Sequence, residues 1–142
     1  MSETHELFHS IQQLARQLTK SLNSSLQPFN IYHSEWTVLY VLKNKGPLTQ
    51  REIAEYLAIE APPVTRTIKK LVEKSYVMQV KGSDKRSNHV VLTDLALKEF
   101  PKWEQAVIQA NELLIQKLPD TSYEQLKFIV TSWSDSLTFR EE

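Results

Sequence analysis

Arg66, Lys69 and Lys70 fall within five residues of the stretch IEAPPVTRTIKKL, interleaved with apolar Val64, Ile68 and Leu71 at helical spacing. A helix of that pattern buries one side and turns a guanidinium and two ammonium groups outward. Those groups meet phosphate oxygens and base edges. Thr65 adds a short hydroxyl beside them, able to donate or accept. Pro62 and Pro63 stand directly ahead. In a first helical turn a missing amide costs little and a fixed φ assists the start, so the pair reads as a rigid leading edge. Its rings suit a thymine methyl. Ala61, placed before a proline, is expected to stay in the turn. A second cationic cluster, Lys81, Lys85 and Arg86, follows with Asp84, which can hold the Arg86 guanidinium in one rotamer.

The elements that must carry these groups are legible around them. Leu7, Ile11, Leu14, Leu18, Leu22 and Leu26 predict an amphipathic helix of roughly six turns, ended by Pro28. HSEWTVLYVLKNKGP reads as a second helix with Ser34 as N-cap, Lys43 and Lys45 in its last turn and Gly46-Pro47 as its stop. Thr49 with Glu52 is a capping box opening a short helix. After a turn, the cationic helix buries Val64, Ile68, Leu71 and Val72. YVMQV and HVVLT then form a hairpin whose tip is KGSDKRSN. Thr93 caps a helix toward Leu118, which Pro101 bends or shortens, and Thr121 with Glu124 caps a last helix.

Short helix, tight turn, cationic helix and basic-tipped hairpin, in that order, make a winged helix-turn-helix. An α-helix fits the major groove, and a neighbouring basic loop grips phosphate or the minor groove. The fold class expected is mainly α with a small β-hairpin wing, flanked by N- and C-terminal dimerisation helices. One domain spans residues 1–142, with the winged unit at 34–93 and the dimerisation helices at 5–28 and 94–138.

Composition narrows the function further. Two glycines argue against a glycine-rich phosphate loop, and with no cysteine there is no disulfide, thiolate metal site or thiol nucleophile. No nucleophile–base signature or clustered carboxylate pair marks an enzyme. No apolar run approaches the roughly 18 residues a bilayer requires, no secretory signal is present, and a cytoplasmic setting fits. The net charge is zero, yet residues 61–90 hold seven bases against two acids, a local +5, while residues 1–60 and 91–142 carry −1 and −4. One basic third in a neutral chain has a local electrostatic target, here double-stranded DNA. A winged module for protein contacts without DNA is the alternative. The lysines and arginine at the hairpin tip weigh against it, being costly in a protein interface core.

The run IAEYLAIEAPPVTRTIKKLVEKSYV, followed by GSDKRSNHVVLTD, resembles the MarR family of bacterial transcriptional regulators, and the likeness covers essentially the whole chain. The resemblance implies a homodimer on a pseudo-palindromic operator, acting as a repressor relieved by a small ligand. It places Pro62, Pro63, Thr65, Arg66, Lys69 and Lys70 on the helix inserted into the major groove. Arg86 falls on the wing arginine that enters the minor groove, and Asp84 on the acid that orients it. Three positions depart from the family pattern: Ala58 and Ser75 stand where glycine is frequent, and Glu60 where a serine cap is common. Ala58 is tolerable if it avoids positive φ.

The apolar rows on the first and last helices need partners, which a two-fold dimer supplies while setting two reading helices about 34 Å apart; an intramolecular mini-bundle in a monomer is the alternative. For an effector, Tyr32, His33, Trp36 and Tyr40 lie near the hinge and could line a pocket, although core packing with a solvated histidine is the stronger reading. His5 and His9 have metal-compatible spacing but read as surface histidines, and no metal or other cofactor is expected.

Overall fold

Capping residues set most element boundaries in this computed structural model, which describes residues 2–82 and 88–138. The chain divides into two units, residues 1–107 and 108–142. In the first, Ser2 accepts from the His5 amide and opens α1, Glu3–Leu26, with Glu3 and Glu6 in the favourable first turn. A 3-10 turn at Gln27–Phe29 carries Pro28 and ends on Asn30 at φ 57. Helix α2 spans His33–Lys45 and closes on Gly46 at φ 81, a conformation that glycine adopts without strain. Its start corrects the sequence reading. Ser34 lies inside the helix and Tyr32 is the cap position, because the Glu35 carboxylate reaches back to the Tyr32 amide at 2.9 Å.

Leu48–Thr49 form a two-residue strand, β1, too short to read from sequence. Helix α3, Gln50–Leu57, starts on the expected capping box: Thr49 Oγ1 accepts from the Glu52 amide at 3.1 Å and Glu52 accepts from the Thr49 amide at 3.0 Å. Helix α4 is Ala61–Glu73, and strands β2, Val77–Lys81, and β3, Asn88–Leu92, follow it. The sheet is antiparallel in the order β1-β3-β2, with Thr49 opposite His89 and Val77 opposite Leu92. Helix α5, Asp94–Ile115, begins on Thr93, whose hydroxyl accepts from the Ala96 amide. Pro101 does not delay that start; the helix runs through it as one element.

The core lies under α4. Val64, Ile68 and Leu71 pack with Leu39, Leu42 and Ile53, with Val77 and Val90 of the sheet, and with Phe100 and Trp103 of α5. Phe100 stacks on Trp36 at 5.3 Å between ring centroids, and Tyr76 meets Trp103 edge-on at 4.8 Å. Such geometries add to the burial energy of large rings. Burial fixes the rotational setting of α4, so it fixes which side chains face out.

In the second unit, α6 spans Ser122–Thr138. Thr121 sits at φ 76 rather than in the extended conformation of an N-cap, so the expected Thr121–Glu124 capping box does not form. Phe128, Ile129, Val130 and Leu137 of α6 are each more than half exposed. Among the described residues no helix is long and apolar enough to cross a membrane.

Candidate nucleic-acid interface

At roughly 100° per residue, Val64, Thr67, Ile68 and Leu71 converge on one side of α4, and all four are buried. Pro62, Arg66 and Lys69 fall on the opposite side, flanked by Thr65 and Lys70, and all five are exposed. One sequence expectation changes. Val72 is 44% exposed, because it lies at the edge of the stripe, and Thr67 takes the buried place one turn before Leu71. Among the described residues, Arg66, Lys69 and Lys70 make no ion pair within the chain.

The start of α4 is open. Glu60 holds the N-cap position with extended backbone but makes no side-chain cap bond. Ala61 is the first helical residue rather than part of the turn, so the two prolines take the second and third positions. There they remove amides that have no intrahelical partner in any case. The first amides the ladder needs, those of Val64 and Thr65, lie beyond them. Ala58 adopts φ 56, contrary to the expectation that it avoid positive φ. Its amide and that of Ile59 close α3 onto Glu55 and Ala54, a left-handed C-cap made without glycine. Ser75 repeats the pattern after α4 at φ 66.

One side-chain bond joins α3 to the exposed face. Thr65 Oγ1 lies 3.0 Å from Gln50 Oε1 and 3.2 Å from the Ala61 carbonyl oxygen. Sequence reasoning passed over Gln50, although its place directly after the capping-box threonine puts it at the head of α3. Beside it, the Thr49 amide and hydroxyl hold the Glu52 carboxyl below its ordinary range, with His89 a minor contributor.

The far end of α4 is clamped. Lys74 Nζ lies 2.7 Å and 2.9 Å from the two oxygens of Glu35, donates to the Asn30 carbonyl at 2.7 Å and sits over the Tyr32 ring. Glu35 is 1% exposed. One cation of the basic third is therefore paired with a buried carboxylate, and the exposed positive charge on α4 is carried by Arg66, Lys69 and Lys70. Glu35 looked like one more polar residue of α2; its partner, 39 positions away, carries no local signal.

On the hairpin, Lys81 is exposed and pairs in register with Asn88. Asp84, Lys85 and Arg86 lie outside the described residues. Of the residues considered for a ligand, Trp36 is in the core, Tyr32 and Tyr40 are exposed, and partial burial lowers the His33 pKa. Only Tyr32 borders the cleft of about 450 Å³ beside α1, together with Arg16, Lys20, Asn23 and Asn30. No group of three potential metal ligands occurs among the described residues.

Comparison with known proteins meets this geometry. The MarR family model matches residues 31–87. The HTH-type transcriptional regulator YwoH of Bacillus subtilis (strain 168) is 44% identical over 118 residues, covering 83% of this chain and 86% of its own. A MarR transcriptional regulator from Methanosarcina mazei Go1 superposes with a TM-score of 0.83 at 23% identity, covering 95% of this chain and 99% of its own. A mutant MarR from E. coli, complexed with operator DNA, gives 0.83 at 23% identity, covering 92% and 94%. At such identity the two structures speak for the fold.

Proposed function

This chain belongs to the MarR family of transcriptional regulators, and on that premise we propose that it binds a pseudo-palindromic operator in double-stranded DNA as a homodimer. Members of this family are regulators rather than enzymes. The observation that carries the reading is the division of α4, with a buried stripe on one side and, on the other, Arg66, Lys69 and Lys70, exposed and without an ion-pair partner among the described residues. Phosphate contacts from Lys69, Lys70 and Lys81 supply affinity, and Pro62, Thr65 and Arg66 supply base preference. For the wing, on the family resemblance, Arg86 enters the minor groove, Asp84 orients it, and Lys85 adds positive charge beside them. The operator-bound E. coli protein of like fold supports this use of the helix over a module for protein contacts alone.

In this reading the winged unit of residues 34–93 sits between dimerisation helices. Leu7, Ile11, Leu14 and Leu18 of α1, and Ile129 and Leu137 of α6, are exposed apolar residues that a second copy would cover. The protein acts in the cytoplasm as a repressor relieved by a small ligand. The cleft bordered by Arg16, Lys20, Asn23 and Tyr32 is the site offered to it, and its two cations suit an anion.

Selecting bound fragments from random DNA tests the core of the proposal. The expected product is a two-fold motif with half-sites one helical turn, about 34 Å, apart. Fragments without a shared motif would refute sequence-specific binding. A monomer in sedimentation, both free and on DNA, would refute the dimer.

A further inference from the structure

We infer that Gln50 makes Thr65 a hydrogen-bond acceptor, so that the base Thr65 meets is one bearing an exocyclic amino group, adenine or cytosine. The inference rests on the reading of α4 as the helix that enters the major groove.

A threonine hydroxyl has one proton and two lone pairs. Free on a helix surface, it reads donors and acceptors alike. Thr65 is not free in this sense. Its oxygen lies 3.0 Å from Gln50 Oε1 and 3.2 Å from the Ala61 carbonyl, so two protein acceptors stand ready for its single proton. The proton goes to the nearer acceptor, Gln50 Oε1, and lone pairs are what remain for an incoming base; without Gln50 the more distant Ala61 carbonyl would hold it less firmly. In the major groove an acceptor finds adenine N6 or cytosine N4 and is repelled by thymine O4 and guanine O6.

Gln50 is held well enough to impose this. It follows Thr49, whose backbone pairs with His89 in the sheet and whose hydroxyl and amide are both tied to Glu52 in the capping box. Gln50 itself is half-buried. The wing sheet therefore fixes the head of α3, α3 fixes the carboxamide, and the carboxamide fixes the polarity of a group on the reading helix. Gln50 is a positioning residue, acting through Thr65.

The test selects operators from random DNA with the wild type and with Gln50→Ala, Gln50→Glu and Thr65→Val, each checked for an unchanged thermal midpoint. The position that Thr65→Val no longer discriminates is the one Thr65 reads. There the wild type is expected to choose adenine or cytosine. Gln50→Ala should lower that preference about threefold or more, the worth of one hydrogen bond. Gln50→Glu keeps an acceptor for the threonine proton, so it should retain the preference at lower overall affinity. Synthetic duplexes lacking the amino group at that base should weaken the wild type and leave Thr65→Val unaffected. Thymine or guanine contacted at that position, an unchanged preference in Gln50→Ala, or an altered one in Gln50→Glu would each overturn the inference. A wild type that selects no motif would instead refute the DNA-binding proposal beneath it.

Discussion

The two ends of α4 are held by opposite means. At the C-terminal end Lys74 joins Glu35, the Asn30 carbonyl and the Tyr32 ring, while Thr93 donates to the carbonyls of Tyr76 and Ser75 at 3.1 Å and 2.7 Å. At the N-terminal end there is no side-chain cap, the exposed Pro62 stands at the second position, and one surface hydrogen bond links Thr65 to Gln50. On the proposed reading of α4, the contrast separates stability from recognition along a single helix. The anchored end fixes where the helix lies, and the open end can change its chemistry without loosening the core.

That division can be broken from the anchored end, where the largest effect is expected. Lys74→Met leaves the Glu35 carboxylate buried without its cation and should cost about 3 kcal/mol in urea unfolding. The low end of the usual range applies because the Lys74 side chain is 23% exposed. A cost near zero would mean the clamp is ornamental. Next come the two left-handed residues flanking the helix. Ala58→Gly and Ser75→Gly each relieve a side-chain clash at positive φ and should stabilise by about 1 kcal/mol. A loss at either would show that the side chain itself is needed there.

At the open end the effects should be on DNA more than on unfolding. Lys69→Ala should weaken all sequences alike and flatten the salt dependence of binding by about one unit of slope; a loss confined to one base would make Lys69 a reader. Pro62→Ser should alter the selected half-site with a stability change under about 1 kcal/mol, and an unaltered half-site would reduce the proline to a helix starter. The smallest effect concerns the head of α3. Because Thr49 holds the Glu52 carboxyl below its ordinary value of 4.5, its contribution is present above the unfolded pKa and is lost as pH falls through the folded one. Glu52→Gln should remove that acid-side slope, which a pH series of melting curves below 4.5 would reveal.

Features written in neighbouring residues could be read from the sequence. The Thr49–Glu52 box, the Gly46 stop, the hairpin and the inward set Val64, Ile68 and Leu71 all lie in single stretches, and each stands in the structure. Features that depend on the rest of the fold were missed or misplaced. Ser34 lost the cap because the Glu35 carboxylate accepts from the Tyr32 amide, and Val72 is exposed because the stripe centres on Leu71. Strand β1 has two residues and exists only because β3 lies beside it. Lys74 looked like one more surface cation until its distant acid came into view. The roles proposed for the α4 residues stand on their exposure together with family membership, and those proposed for Asp84, Lys85 and Arg86 on the sequence.

Thr49 is the last residue of β1 and the N-cap of α3, and its own amide is the donor that Glu52 accepts. Each duty asks for a different atom: a branched Cβ for the strand, an oxygen for the cap, a free N–H for the reciprocal bond. Serine would keep the oxygen and lose the branch, valine the reverse, and proline would forfeit the amide. Threonine alone satisfies all three, so a saturation library at this site should return a far narrower set of folded variants than its partial exposure would suggest.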